Sequence, residues 1–253
     1  MLQNDVHRAL ERRDILLMTH LVLGYPSFEA NREVVAQMVG AGVDLIELQI
    51  PFSEPVADGP VIARACQESL ARGTKVAACL DFAAAVTQVH RIPFLLMTYY
   101  NIIFRFGEQP FLDRCRRIGI RGLIVPDLPP EEGADFLRAA KRTGLDPIPI
   151  FAPTSTVARM HELESAGDGF VYCVARRGVT GAATSLDATF ESYIARCRAA
   201  TDLPLAVGFG IRTREDVAAL RGKADIAVIG SETIRLVDER GPAAVGPFLV
   251  GLR

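Results

Sequence analysis

Apolar residues in this chain come in short runs, and each run is followed by a longer stretch in which they recur every three or four positions. The first run covers residues 15–22 and closes on Gly24-Tyr25-Pro26. A helix is expected at about 28–40, with Val34, Val35, Met38 and Val39 on one face and Gly42 just past its end. Further strands are expected at 44–50, 93–98, 122–126, 147–151, 169–174, 205–207 and 226–229. The intervening helices fall at about 109–117, after Pro129-Pro130-Glu131-Glu132, and at 155–166, 188–199, 213–221 and 231 onward. Thr213-Arg214-Glu215-Asp216 reads as a capping box.

Strict alternation of strand and helix argues for parallel strands, and eight such units at this length argue for a closed ring. The expected fold is therefore α/β, a (β/α)₈ TIM barrel. Two additions stand out. Residues 2–12 form an extra amphipathic N-terminal helix that could plug the barrel bottom. The long Ala-rich stretch 61–90 breaks near Gly73-Thr74, which adds a helix after strand two. With no repeat or linker in view, residues 1–253 are expected to form one barrel domain.

Composition narrows the function more than the fold. A net charge of −2 without a block of like charge argues against nucleic acid or a membrane surface as partner. The five cysteines are odd in number and scattered, which favours structural thiols in a reducing compartment. Four histidines without metal-ligand spacing give no metal site. The N-terminus lacks the apolar core of a signal peptide, so a cytoplasmic location is expected.

In a barrel the chemistry sits at the C-terminal ends of the strands. There, strand two carries an acid, Glu47, inside an apolar run, and Asp58 follows in the next loop. Alternation puts Glu47 and Gln49 on the same side of the strand. If that side faces the interior, burial raises the pKa of Glu47 and lets it hold a proton near neutrality. Asp58, in a loop, is expected to stay ionised, so the two acids could divide acid and base roles. A structural carboxylate at 47 and a turn or cap residue at 58 would account for the same letters. Gly208-Phe209-Gly210 after strand seven and Gly230-Ser231 after strand eight look like a phosphate cradle, and Gly178-Val179-Thr180-Gly181 could complete it. Tyr99 and Phe209, at strand ends, are substrate-binding candidates. Asp127 is at least as well explained by capping as by catalysis. The stretch 176–186 is long for such a loop and suggests a lid.

Together these motifs resemble one family, the tryptophan synthase alpha subunit. The resemblance rests on Glu47-Leu48, Pro51-Phe52-Ser53, Ala57-Asp58-Gly59-Pro60, Tyr100-Asn101 and Pro126-Asp127-Leu128-Pro129-Pro130-Glu131-Glu132. It continues through Ala152-Pro153-Thr154-Ser155, Gly178-Val179-Thr180-Gly181-Ala182, Gly208-Phe209-Gly210-Ile211 and Gly230-Ser231. It implies a lyase of tryptophan biosynthesis that cleaves indole-3-glycerol phosphate by retro-aldol chemistry, with no metal or organic cofactor of its own. Glu47 would shuttle protons and Asp58 would hold the indole N–H. Thr180 would orient Asp58, Tyr172 would line the site, and Gly181, Gly210, Gly230 and Ser231 would hold phosphate. The implied partner is a beta subunit in an α₂β₂-type assembly, which would own the pyridoxal phosphate. Four positions depart from the family pattern: Gln49 stands for Gly, Glu54 for Asp in the loop facing the beta subunit, Tyr25 for Asp, and His20 for an aromatic of the indole pocket. His20 and Gln49 add polarity to the expected indole site and so join the substrate-binding candidates. In an ordinary member of the family Gln49 would be bonded to His20 or Glu47; the two residues also raise two other readings, a lyase repurposed for a different phosphorylated substrate or working without a beta subunit, and a non-catalytic phosphate-binding homologue.

Overall fold

A computed structural model describes residues 2–174, 188–208 and 210–253. Nine strands are found among them: β1 Leu16–Val22, β2 Leu45–Gln49, β3 Phe94–Met97, β4 Gly122–Ile124, β5 Asp146–Pro147, β6 Ile150–Phe151, β7 Val171–Val174, β8 Leu205–Gly208 and β9 Ile226–Ile229. They lie in the order β5-β4-β3-β2-β1-β9-β8-β7-β6, and every pairing is parallel.

The ninth strand comes from the expected fifth one, which divides in two. The reason is chemical. In a parallel strand, alternate residues bond to opposite neighbours. The N–H groups of Asp146 and Ile148 donate to Arg121 and Leu123 on the β4 side. Toward β7 stand Pro147 and Pro149, which have no N–H to give. Their carbonyls accept from Asp168 and Tyr172, each at 2.8 Å. The segment 146–151 is thus bonded on both flanks, and the sheet closes through it into the expected barrel.

Side chains inside the ring change character from bottom to top. On β1 the inward positions run Leu16, Met18, His20, and on β2 they run Leu45, Glu47, Gln49. The lower layers are mostly apolar, joined there by Leu95, Ile226 and Phe170, with the buried Asp146 carboxylate accepting from the Leu2 N–H at 2.8 Å. Leu2 and Val6 of the helix Leu2–Leu10 close the bottom, both fully buried. The outward set, including Leu17, Leu21, Ile46 and Leu48, packs beneath the helices. Asp146 apart, the polar groups on these inward positions of β1 and β2, His20, Glu47 and Gln49, lie toward the upper end.

The stretch after β2 holds two helices, Pro60–Ala71 and Val76–Val89, broken at the expected place. The capping box is formed, with the Thr213 hydroxyl accepting from the Asp216 N–H and the Asp216 carboxylate accepting from the Thr213 N–H. The last stretch, expected as one helix, divides at Gly241 into Ser231–Arg240 and Val245–Gly251, and another helix was not expected at all, Tyr100–Phe106. Its first N–H, on Tyr100, donates to both oxygens of Asp127 at 2.9 and 3.1 Å. Asp127 therefore caps a helix, although it is the helix after β3 and not its own. No helix among the described residues is long and apolar enough to cross a membrane.

Candidate active site

A cavity opens at the C-terminal end of the barrel. His20, Glu47 and Asp58 form one wall. Ile62, Met97, Ile124, Ile150, Val174 and Val228 make an apolar slot, and Tyr172 joins them from β7. At the other end stand Gly210, Arg212, Gly230, Ser231 and Arg235.

Glu47 is buried, and its Oε2 has no hydrogen-bond partner among the described residues. Burial, reinforced by the nearby charge of Asp58, pushes its pKa up to about 8. Asp58 is only partly buried, at the cavity mouth. Loss of water raises its pKa to about 6, and hydrogen bonds from Gln49 and Tyr99 restrain the rise. At neutral pH Glu47 thus holds its proton and Asp58 carries the charge, the division the sequence pattern suggests.

Gln49 is fully buried yet fully paired. Its Nε2 donates to Asp58 Oδ2 at 2.7 Å, and its Oε1 lies 2.6 Å from His20 Nε2. The Tyr99 hydroxyl donates to the same Asp58 oxygen at 3.0 Å and accepts from the Ala57 N–H at 3.1 Å. Gln49 and Tyr99 stand behind Asp58 and grip it, whereas His20 reaches the cavity wall. The departure at Tyr25 lies elsewhere. Its hydroxyl donates to Asp238 at 2.6 Å and accepts from Arg64 at 2.7 Å, beside the helices Pro60–Ala71 and Ser231–Arg240.

The far end of the cavity is built for an anion. Ser231 opens the helix Ser231–Arg240, Gly230 before it supplies no side-chain cap, and Gly230, Ser231 and Glu232 at this helix start line the cavity. Thr233 ties this turn to β1 through a bond from its hydroxyl to the His20 carbonyl at 3.0 Å. Gly210 has φ +81°, a conformation that favours glycine. The sequence patterns alone did not single out Arg212, Glu232 and Arg235. Glu232 bonds Arg235 at 3.0 Å and pairs with Arg212 at 3.3 Å, which brings two guanidinium groups to the anion end. The i,i+4 spacing of Ser231 and Arg235 was the available signal. Thr180, Gly181, Phe209 and the lid stretch 176–186 lie outside the described residues.

The model of the tryptophan synthase alpha chain family matches residues 6–245. The chain belongs to the tryptophan synthase alpha chain family. It is 65% identical over 252 residues to the tryptophan synthase alpha chain of Desulfotalea psychrophila, covering 100% of this chain and 99% of that one. It is 53% identical to that of Syntrophotalea carbinolica over the full length of both. Among solved structures, tryptophan synthase of Mycobacterium tuberculosis superposes with a TM-score of 0.91 at 31% identity, over 99% of this chain and 96% of that one. A structure of the tryptophan synthase α₂β₂ complex of Pyrococcus furiosus gives a TM-score of 0.85 at 28% identity, over 94% and 97%. Glu47 and Asp58 line one cavity together with the start of the helix Ser231–Arg240.

Proposed function

We propose that this chain cleaves indole-3-glycerol phosphate to indole and glyceraldehyde 3-phosphate, with Glu47 as proton shuttle and Asp58 as the group that holds the indole N–H. The observation that carries this reading is a buried acid with an unpartnered carboxyl oxygen beside a partly exposed acid gripped by two donors, at the edge of an apolar slot. The slot suits a flat aromatic ring, and the helix start at Gly230-Ser231 suits the phosphate.

The chemistry follows from the two ionisation states. Glu47 gives its proton to indole C3, and the positive charge that develops on the ring is stabilised by the Asp58 carboxylate through the ring N–H. Glu47, now a carboxylate, takes the proton from the substrate hydroxyl. The C3–carbinol bond breaks, its electron pair restores the indole ring, and the carbinol carbon becomes the aldehyde. Glu47 ends protonated, as it began. These steps are proton transfers and charge stabilisation throughout, and the proposal assigns no cofactor to this chain.

Assembly with a beta chain, as in the Pyrococcus furiosus complex, is part of the same proposal. Two apolar side chains support it, Val56 in the loop after β2 and Phe104 in the helix after β3, which are 74% and 66% exposed. Glu54 is exposed in that same loop. Pyridoxal phosphate would belong to the partner.

Pairing at both ends of the Gln49 amide removes one motive for the altered-substrate reading, while His20 Nδ1 is buried without a partner among the described residues. The test is indole release from indole-3-glycerol phosphate, with and without a beta chain. Indole and the triose phosphate are expected in equal amounts, and faster when the beta chain is present. Consumption of a different phosphorylated substrate with no indole formed would overturn the proposal.

A further inference from the structure

The polar chain His20–Gln49–Asp58 does something that neither the fold nor the proton shuttle requires. Asp58 belongs to a loop between β2 and the helix Pro60–Ala71. A loop carboxylate with one good partner is free to rotate about its terminal bond. Here two donors converge on a single oxygen, Oδ2: Gln49 Nε2 at 2.7 Å and the Tyr99 hydroxyl at 3.0 Å. Gln49 is the last residue of β2, and Tyr99 follows the end of β3. Both are fully buried. Oδ1 takes neither of these two bonds.

The orientation of Gln49 is itself determined. An ionised carboxylate only accepts, so the amide nitrogen must face Asp58 and the amide oxygen must face His20. That oxygen requires a donor, so His20 must carry its proton on Nε2. His20 is buried on β1, in register with Glu47 on β2. Its backbone carbonyl is held by Thr233 from the helix that starts the anion site.

We propose that Gln49 is the positioning residue for Asp58, held in its working orientation by the Nε2–H tautomer of His20. The inference rests on the retro-aldol reading above for its kinetic consequence, but not for its structural one. It also explains why the two departures occur together: a glutamine without the histidine would leave a buried carbonyl oxygen unpaired. Asp58 would then be aimed from the strands of the barrel, whatever the state of residues 176–186.

Titration can isolate the effect. Among the described residues, the groups facing Asp58 are Gln49 and Glu47 from β2, Tyr99 after β3, Tyr172 from β7 and Cys66 from the helix Pro60–Ala71. His20 connects through Gln49 and is pushed down to about 4 by burial. Glu47 lies at about 8, Cys66 is raised to about 12, and both tyrosines are raised above their ordinary range. Asp58 is therefore the group that titrates near pH 6.

The experiment uses Gln49→Met, which keeps volume and removes both hydrogen bonds. Its kcat for indole release is expected to fall about tenfold with little change in KM, as expected for a misaimed charge. Its acid limb is expected to move to higher pH, because a donor to the ionised form has been lost. His20→Phe removes only the anchor and should give the same changes in smaller measure. ¹⁵N NMR of the free protein supplies a readout that needs no substrate: wild-type His20 should be neutral with the proton on Nε2 at pH 6–8, and Gln49→Met should lose that preference. A wild-type His20 protonated on Nδ1 or titrating near its ordinary pKa, or a Gln49→Met enzyme with an unchanged kcat and acid limb, would overturn the inference. Failure of the wild type to make indole would instead strike the retro-aldol reading, and the NMR result would still decide the role of the pair.

Discussion

Glu47→Gln should lower the rate of indole release by about 10²–10⁴-fold, the range spanned by positioned proton transfer. The substitution keeps the size of the side chain and its place on β2 between Ile46 and Leu48. It removes the carboxyl that holds its proton at neutral pH, so neither the protonation of C3 nor the removal of the hydroxyl proton has an agent. The loss should appear in kcat, because the phosphate end and the apolar slot are untouched. The same variant carries its own control for folding. The Glu47 carboxyl has a folded pKa of about 8 against an ordinary 4.5. Between those values the unfolded chain releases a proton that the folded chain keeps, so wild-type stability falls as pH rises, until the folded group also ionises. Glutamine has no such penalty. Thermal unfolding should show Glu47→Gln more stable than the wild type, by a margin that grows from about pH 5 to about pH 9 and reaches a few kcal/mol. A dead enzyme that is also more stable cannot be dismissed as misfolded. Turnover within a few-fold of wild type would remove Glu47 from the mechanism.

Asp58→Asn is expected to cost about 10²–10³-fold, the typical effect of losing one preorganised group that faces developing charge. Asparagine can still accept from Gln49 and Tyr99 through its side-chain oxygen, so the local geometry should persist. The negative charge opposite the indole ring does not. Steady-state assays should show a loss in kcat larger than any rise in KM. The acid limb near pH 6 should vanish, since the group that gives rise to it is gone. An Asp58→Asn enzyme that is slow but keeps that limb would assign the titration to another group.

Much of this site could be read from the letters alone. A carboxylate placed among Ile46, Leu48 and Ile50 must either be paired or be put to use, and strand alternation fixed which side it shared with Gln49. Gly230-Ser231 at the start of a helix, after a barrel strand, announced an anion site through backbone chemistry that depends little on side chains. The parts that escaped are set by partners distant in sequence. Pro147 and Pro149 read as one strand, because the sidedness of their missing N–H groups appears only once β4 and β7 flank them. The helix Tyr100–Phe106 depends on a cap from Asp127, on the next loop. Arg212 and Arg235 gain meaning only when Glu232 draws them to one end of the cavity. The polarity of Gln49 looked like a liability in a hydrophobic pocket. It is absorbed by His20 of a neighbouring strand, one of the two partners expected for it, and by Asp58 of the adjoining loop, which alternation could not place against it.

The most direct test of the account is the pH dependence of kcat/KM for indole release by the wild-type enzyme, which reports the essential acid and base of the free protein. A bell is expected, rising through about pH 6 as Asp58 ionises and falling through about pH 8 as Glu47 gives up its proton. A profile that stays level from pH 7 to beyond pH 9 would contradict it, because a protonated Glu47 could not then be the form that starts the reaction.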